Sequence, residues 1–427
     1  MNVLLLGNGF DIYYKLPTKY INFLNTVDFL RNNYSEDIKT ISDVFSSLKL
    51  QEKDDFITEC YTKHKETYDK TSLDDDKIKE IISLTKDNIW FKYLVKSFNK
   101  NVGWIDFEKE IAFVAKAFNE LFKMSGIKIG FGNLFKSDDV KYIIKFFDFF
   151  YKKIQESGYF VGGPTHILKP EYIIEYPLGS KNQMINKDAV AKFLSKSLLD
   201  LATALKLYLE CFVENSLDLL AKEKGFKLFE AVSPANLTIT FNYTNTYEKL
   251  YSNNDSYHLH GNVNDQIVLG INPDESDELE TVDTSLISFK KYFQRTMYET
   301  DAEYLKWVGE LTKDVDDYTL IIMGHSLDVT DKDIITEIFS NAENIYILYH
   351  DHKAKASYIS NLVKIFGKDE FDELRRKKQL TFLSQDGDFT DFASGTDDRN
   401  FAKTSFSNYA DLQFVHNFSR RFFTACW

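Results

Sequence analysis

The chain alternates between two patterns of apolar positions. Residues 2–6, NVLLL, form a continuous apolar run stopped by Gly7, which predicts a short strand covered on both faces. After the Gly7-Asn8-Gly9 bend, Tyr20, Ile21 and Leu24 define one apolar helical face, with Thr18 placed to cap it. From about residue 28 to 160 the period is helical, with Lys, Asp and Glu outside and Phe, Tyr and Ile inside; FDFFYKKI at 147–154 belongs to this stretch. Residues 158–182 gather Gly158, Gly162, Gly163, Gly179, Pro164, Pro170 and Pro177, a composition that predicts an irregular loop. Leu194, Leu198, Leu201, Leu205, Leu209 and Phe212 then recur at steps of three and four, predicting one long amphipathic helix over 188–222.

Strand-like text resumes with LTITFN (237–242), YHLH (257–260), QIVLGI (266–271), YTLIIM (318–323), NIYILYH (344–350) and LTFLS (380–384). Helical segments at 331–340 and 354–366 separate several of these, so the expected fold is α/β, a doubly wound, mostly parallel sheet. The first strand belongs with the later ones. Residues 1–27 and 231–385 are therefore assigned to an α/β core, 28–230 to a large α-helical insertion domain, and 386–427 to a C-terminal tail.

Composition narrows the function. Lys and Arg number 52 against 65 Asp and Glu, a formal net charge of −13, which argues against a broad grip on nucleic acid. Three scattered cysteines, Cys60, Cys211 and Cys426, support neither a disulfide framework nor a cysteine zinc site, so no metal is expected and a reducing cytoplasm is the simplest location. No apolar run approaches the roughly 18 residues of a membrane span, and no membrane partner is expected.

Four motifs could carry chemistry. Gly7-Asn8-Gly9-Phe10-Asp11 follows the first strand, where two glycines let the backbone approach a pyrophosphate; a tight turn with no ligand is the alternative. Asp11 could bind a hydroxyl or simply cap. Asn242, in Thr240-Phe241-Asn242-Tyr243-Thr244, sits at a strand's carboxyl end, where it could hold a ribose hydroxyl or stabilise the loop. His258 and His260 at period two would share one face of a strand; one is a candidate acid or base, the other structural. Gly324-His325-Ser326-Leu327-Asp328 ends the YTLIIM strand, with Gly324 opening space, Ser326 or Asp328 in reach of hydroxyls, and Thr330 and Asp333 forming a capping pattern. A fifth segment, Trp104-Ile105-Asp106-Phe107-Glu108, reads as a helix start whose acids could close over a ligand.

GNGFDIYYKLPTKY, TFNYT, HLHGN and GHSLDVT occur in the order used by sirtuin-like NAD-binding domains and resemble their strand-end segments. The chain is more similar still to the AbiH family of bacteriophage abortive infection proteins, through GNGFD…LPTKY, WIDFE, FNYT, HGN and GHSL; residues 3–24, 104–108, 238–272, 320–331 and 345–383 carry the likeness. This resemblance implies phage defence and, by analogy with sirtuin-like effectors, cleavage of NAD+ at the nicotinamide–ribose bond. It implies that Asn242 and His260 are catalytic, Asn242 holding the ribose or attacking water and His260 acting as base. Gly7 and Gly9 would line the pyrophosphate, Gly324 and Ser326 the adenosine side, with Asn8, Asp11, Thr244 and Asp328 completing the ligand-lining set. NAD+ is the expected ligand, and a phage-derived trigger and a homo-oligomer are candidate partners. The sirtuin zinc cysteines are absent, which disfavours protein deacetylation. The alternative is a non-catalytic nucleotide-binding sensor or regulatory module in phage defence.

Overall fold

The structure, a computed structural model, describes residues 1–50, 54–100, 106–123, 142–143, 146–147, 150–153, 165–168, 172–175, 183–222, 236–251, 256–271, 284–311 and 318–385. Trp104, Ile105, most of the 158–182 loop and the 386–427 tail lie outside the described residues.

Six strands form one parallel sheet: β1 (Asn2–Leu6), β2 (Leu237–Thr240), β3 (Ser256–His258), β4 (Tyr318–Met323), β5 (Ala342–Tyr349) and β6 (Leu380–Ser384). Their spatial order is 6-5-4-1-2-3, so β1 lies between β2 and β4 despite the long separation in sequence. Read from the other edge this is 3-2-1-4-5-6, the order of doubly wound dinucleotide-binding sheets, whose ligand crevice lies where the winding reverses, at the carboxyl ends of β1 and β4.

Alternation along the strands explains both covering layers. Leu4, Leu6, Ile321 and Met323 face one side and join a core with Phe10, Phe23, Trp90, Phe107, Leu201 and Tyr208. Val3, Leu5, Ile239, Leu320, Ile322 and Ile347 face the other, packing on Tyr304, Ile335, Ile338 and Leu362. The helices between β1 and β2 thus share a core with the sheet and serve as its covering layer on one face. Among them are α1 (Gly9–Tyr13), α2 (Tyr20–Asn33), α3 (Phe107–Lys123) and α4 (Lys187–Leu209). The opposite face is covered by α6 (Ala302–Leu311), α7 (Lys332–Ser340), α8 (His352–Phe366) and α9 (Lys368–Arg376); α5 (Lys291–Tyr298) precedes them in the chain.

Several sequence expectations need correction. QIVLGI forms no strand; only Ile271 makes a parallel bridge, to Lys290, and Leu269 is held instead by the Gln294 side chain through both its N–H and its C=O. Phe150–Lys153, expected as helix, pairs antiparallel with Thr165–Leu168, and Ile173–Glu175 pairs with Gln183–Ile185, so part of the expected loop is strand. Helix α4 ends at Leu209 and passes through a π-helical turn, Glu210–Glu214, before Asn215–Leu220. Thr18 does not cap α2: Lys19 is its N-cap, with Asn22 Oδ1 accepting from Lys19 N–H at 3.0 Å. Among the described residues no helix is long and apolar enough to cross a membrane.

Candidate functional site

The glycine bend is built for contact between two backbones. Gly7 N–H donates to Met323 O at 3.1 Å and Gly9 N–H to Gly324 O at 2.8 Å. A Cβ on Gly9 would lie 2.6 Å from Gly324 Cα, and one on Gly7 would lie 2.5 Å from His325 Cα. The glycines thus let the turn after β1 press against the turn after β4, and both amides are already hydrogen-bonded there. Asn8 is tied back as well: Thr18 Oγ1 donates to its Oδ1 at 2.6 Å, and its Nδ2 donates to Thr18 O at 3.3 Å.

Beneath the bend lies a buried polar cluster. Asp11, 1 % exposed, accepts from Thr244 Oγ1 at 2.6 Å, and Thr246 donates to Thr244. Burial pushes the Asp11 carboxyl up to about 7, against the two threonine hydroxyls and with nearby Glu214 and Glu248 adding to the rise. The π-helical turn aims Glu214 at the same loop, where it accepts from Asn245 N–H at 2.6 Å and Asn245 Nδ2 at 3.2 Å. Such turns re-aim side chains that a regular helix would point elsewhere.

The two histidines of HLHG part company because β3 ends at His258, leaving His260 in the following turn. Their expected shared face does not exist. His258 sits between two acceptors, Asn242 O at 2.9 Å and Glu248 Oε1 at 2.7 Å. Burial opposes its charge, but the carboxylate and carbonyl outweigh this and raise its pKa. It locks the Asn242 backbone, whose N–H in turn donates to Thr240 Oγ1.

His260 enters a different network, centred on Asp331. Asp331 Oδ1 accepts from Lys291 Nζ at 2.9 Å and lies 3.6 Å from His260 Nε2, while Oδ2 lies 3.4 Å from His325 Nε2. Lys291, fully buried, also contacts Glu108 Oε2 at 2.9 Å, which brings the first turn of α3 into the cluster. The Phe241 ring lies 5.1 Å from that of His260 and 4.1 Å from that of His325. Burial lowers the His260 pKa well below the ordinary histidine value, and the Lys291 ammonium adds to the effect. For Asp331 burial opposes ionisation, but Lys291 and the two histidines prevail and hold the carboxyl far down. Glu108, sharing the same ammonium, is raised by burial. Buried Arg295 adds an ion pair with Asp333 and lies 3.7 Å from Asp301.

The structure therefore brings Gly7, Gly9 and Gly324 together, joins Asp11 to Thr244, and places His260 beside His325. Asn242 stands between Phe241 and Tyr243, whose rings both flank His260; no hydrogen bond joins Asn242 to His260 among the described residues. Asp11 Oδ1, Asn242 Oδ1 and His260 Nε2 are all buried without a hydrogen-bond partner. Ser326 is exposed and its carbonyl accepts from Asn361, and Asp328 caps Thr330 N–H at 3.2 Å, 3.8 Å from Lys109. The N-cap of α7 is Asp331 rather than Thr330, and Asp333 is engaged by Arg295.

Sequence reasoning missed Lys291, Arg295 and Asp331. Glu108 lies inside the WIDFE motif, and Asp331 is hidden within what reads as capping text. Lys291 carries no local signal, since only its tertiary position distinguishes it from the many surface lysines. Among the described residues no group of three or more His, Cys, Asp or Glu is arranged to hold a metal ion.

Comparison with curated proteins and with solved structures found no match. A family model does match, and the glycine bend, the FNYT loop, the HGN turn and the GHSL turn that build this strand-end site all fall within the matched residues, 3–350; the chain belongs to that family, Bacteriophage abortive infection AbiH.

Proposed function

We propose that this chain is an abortive-infection effector that binds NAD+ at the carboxyl ends of β1, β2 and β3 and hydrolyses its nicotinamide–ribose bond. Family membership implies the role in phage abortive infection. The reaction rests on one observation: Asp11 Oδ1 and Asn242 Oδ1, two buried polar atoms without hydrogen-bond partners, follow the ends of β1 and β2, and buried His260 follows the end of the neighbouring β3. Buried polar groups are ordinarily satisfied, so such a grouping suits a ligand that completes it.

The ribose end is where the residues fit. Asn242 Oδ1 can accept from a ribose hydroxyl or from the attacking water. His260, kept neutral by burial and by Lys291, can take the proton as water adds to C1′. The C1′–N bond breaks with its electron pair leaving on nicotinamide, the water oxygen bonds to C1′, and the proton passes from His260 to solvent. Positioning matters more here than a strong nucleophile, because the leaving group departs from an oxocarbenium-like centre. At the pyrophosphate end, the Gly7 and Gly9 N–H groups are engaged by Met323 O and Gly324 O, so the bend would shape that end of the site without lending these two amides to the phosphates.

The test is nicotinamide release by purified protein from NAD+, with and without phage lysate. His260→Ala should slow it by about 10²- to 10⁴-fold. An inert wild type under both conditions, or an Ala variant as fast as wild type, rejects the reaction.

A second reading, a non-catalytic nucleotide sensor in phage defence, is favoured by the internal pairing of Lys291, Asp331 and Glu108, which leaves the site's charges mutually neutralised. Protection from phage that survives Asn242→Ala combined with His260→Ala would select it.

A further inference from the structure

The Asp331 network fixes more than charge. Leu327 N–H donates to His325 Nδ1 at 3.0 Å, from a backbone held at φ +52°. A ring nitrogen that accepts carries no proton, so neutral His325 must hold its proton on Nε2, the atom 3.4 Å from Asp331 Oδ2. Asp331 is thereby oriented, with its other oxygen bonded to Lys291 and turned toward His260 Nε2 at 3.6 Å. That separation is a charge contact rather than a hydrogen bond, of the kind that shortens when a ligand seats. Phe241 packs against both rings, so a single apolar wedge sets the spacing of the two imidazoles across one carboxylate.

We propose that Asp331 is a positioning residue that holds His260 in its Nε2–H tautomer, so that His260 Nδ1 is the atom offered to the water or hydroxyl at the strand ends. This rests on the hydrolytic reading for its role in turnover, but the tautomer itself does not. An ionised carboxylate facing one ring nitrogen is a better partner for N–H than for a lone pair, which leaves the other nitrogen basic. A carboxylate used in this way orients the imidazole and steadies the imidazolium without itself taking the proton. The other ionisable neighbours of His260 are Lys291, Arg295 and His325, and all three oppose its protonation.

The experiment is side-chain ¹⁵N–¹H NMR of the ¹⁵N-histidine protein above pH 7.5, with peaks assigned by His260→Gln and His325→Gln. Wild type should show both His260 and His325 as Nε2–H tautomers. In Asp331→Asn, His260 should become a tautomer mixture while His325, still accepting from Leu327, stays Nε2–H. A wild-type His260 protonated at Nδ1 overturns the inference, as does an Asp331→Asn spectrum in which His260 is unchanged. Should Asp331→Asn fail to fold, the wild-type spectrum decides alone. In the nicotinamide assay Asp331→Asn should lower kcat by about 10²- to 10⁴-fold with little change in KM. Failure of wild type to release nicotinamide would remove the reaction and leave the tautomer result standing, so the two proposals fail separately.

Discussion

Gly9 and Gly324 touch backbone to backbone: the Gly9 amide donates to the Gly324 carbonyl at 2.8 Å, and Gly324 holds φ +74° with no room for a side chain. This contact joins the turn after the first strand to the turn after the fourth, across more than three hundred residues of chain. It is the hinge on which the strand-end site is assembled, and it explains why both turns carry glycine without requiring that their amides bind a ligand.

Replacing Gly324 by Ala puts a Cβ within 2.2 Å of Phe10 N, a backbone atom that cannot move away cheaply, and adds strain at positive φ. The loss should be at least about 1–3 kcal/mol by denaturant unfolding. Gly309→Ala is the matched control, since a Cβ there meets nothing within 4 Å in a helix and should stabilise by about 0.5–1 kcal/mol. Equal behaviour of the two variants would contradict the packing account.

Asp11 binds its proton more tightly folded than unfolded, its carboxyl being pushed from 3.8 up to about 7. A raised carboxylate contributes stability that is fully present below pH 3.8 and is lost as pH rises through 7. Asp11→Asn removes this slope. Its stability relative to wild type should improve between pH 4 and pH 8, by at most about 4 kcal/mol. A pH-independent difference between the two proteins would show that Asp11 is ionised throughout.

His260 has the opposite sign, with its folded pKa below the ordinary 6.5. The unfolded chain takes up a proton there first, so wild type should lose stability as pH falls below 6.5, and His260→Gln should reduce that loss. For the same reason nicotinamide release should hold its rate as pH drops through 6.5. A rate that halves near pH 6.5 and tracks His260 would show an unperturbed imidazole.

Lys291→Met leaves two carboxylates, buried Asp331 and partly buried Glu108, without their shared cation. Removing one partner of a buried ion pair typically costs about 3–5 kcal/mol, and unfolding measurements should show a loss of that size. Adding Glu108→Gln should recover part of it by neutralising one carboxylate. A double variant no more stable than Lys291→Met alone would mean that Glu108 does not feel the ammonium.

How far the sequence could be read follows from the range of each interaction. β4 at 318–323 and β6 at 380–384 were legible to the residue, because a short run rich in apolar and β-forming residues and bounded by polar text has few other uses. QIVLGI misled because it is apolar for another reason: Ile267, Val268, Leu269 and Ile271 are buried beside Gln294, whose amide takes over the hydrogen bonds a neighbouring strand would make. The helical text from 28 onward announced itself by period, yet period cannot say what a helix packs against. Only the shared core of Leu4, Leu6, Phe23 and Leu201 shows these helices to be the covering layer of the sheet.

Local pattern alone determined the parallel α/β class, most strands, and the motifs that mark the family, since each depends on neighbours a few residues apart. Tertiary structure decided which of those motifs meet. Strand order placed β1 between β2 and β4, and the end of β3 at His258 sent its two histidines into different networks. Asp331, Lys291 and Glu108 became one site only because charges removed from water must find each other, and that requirement leaves no mark on the sequence around any one of them.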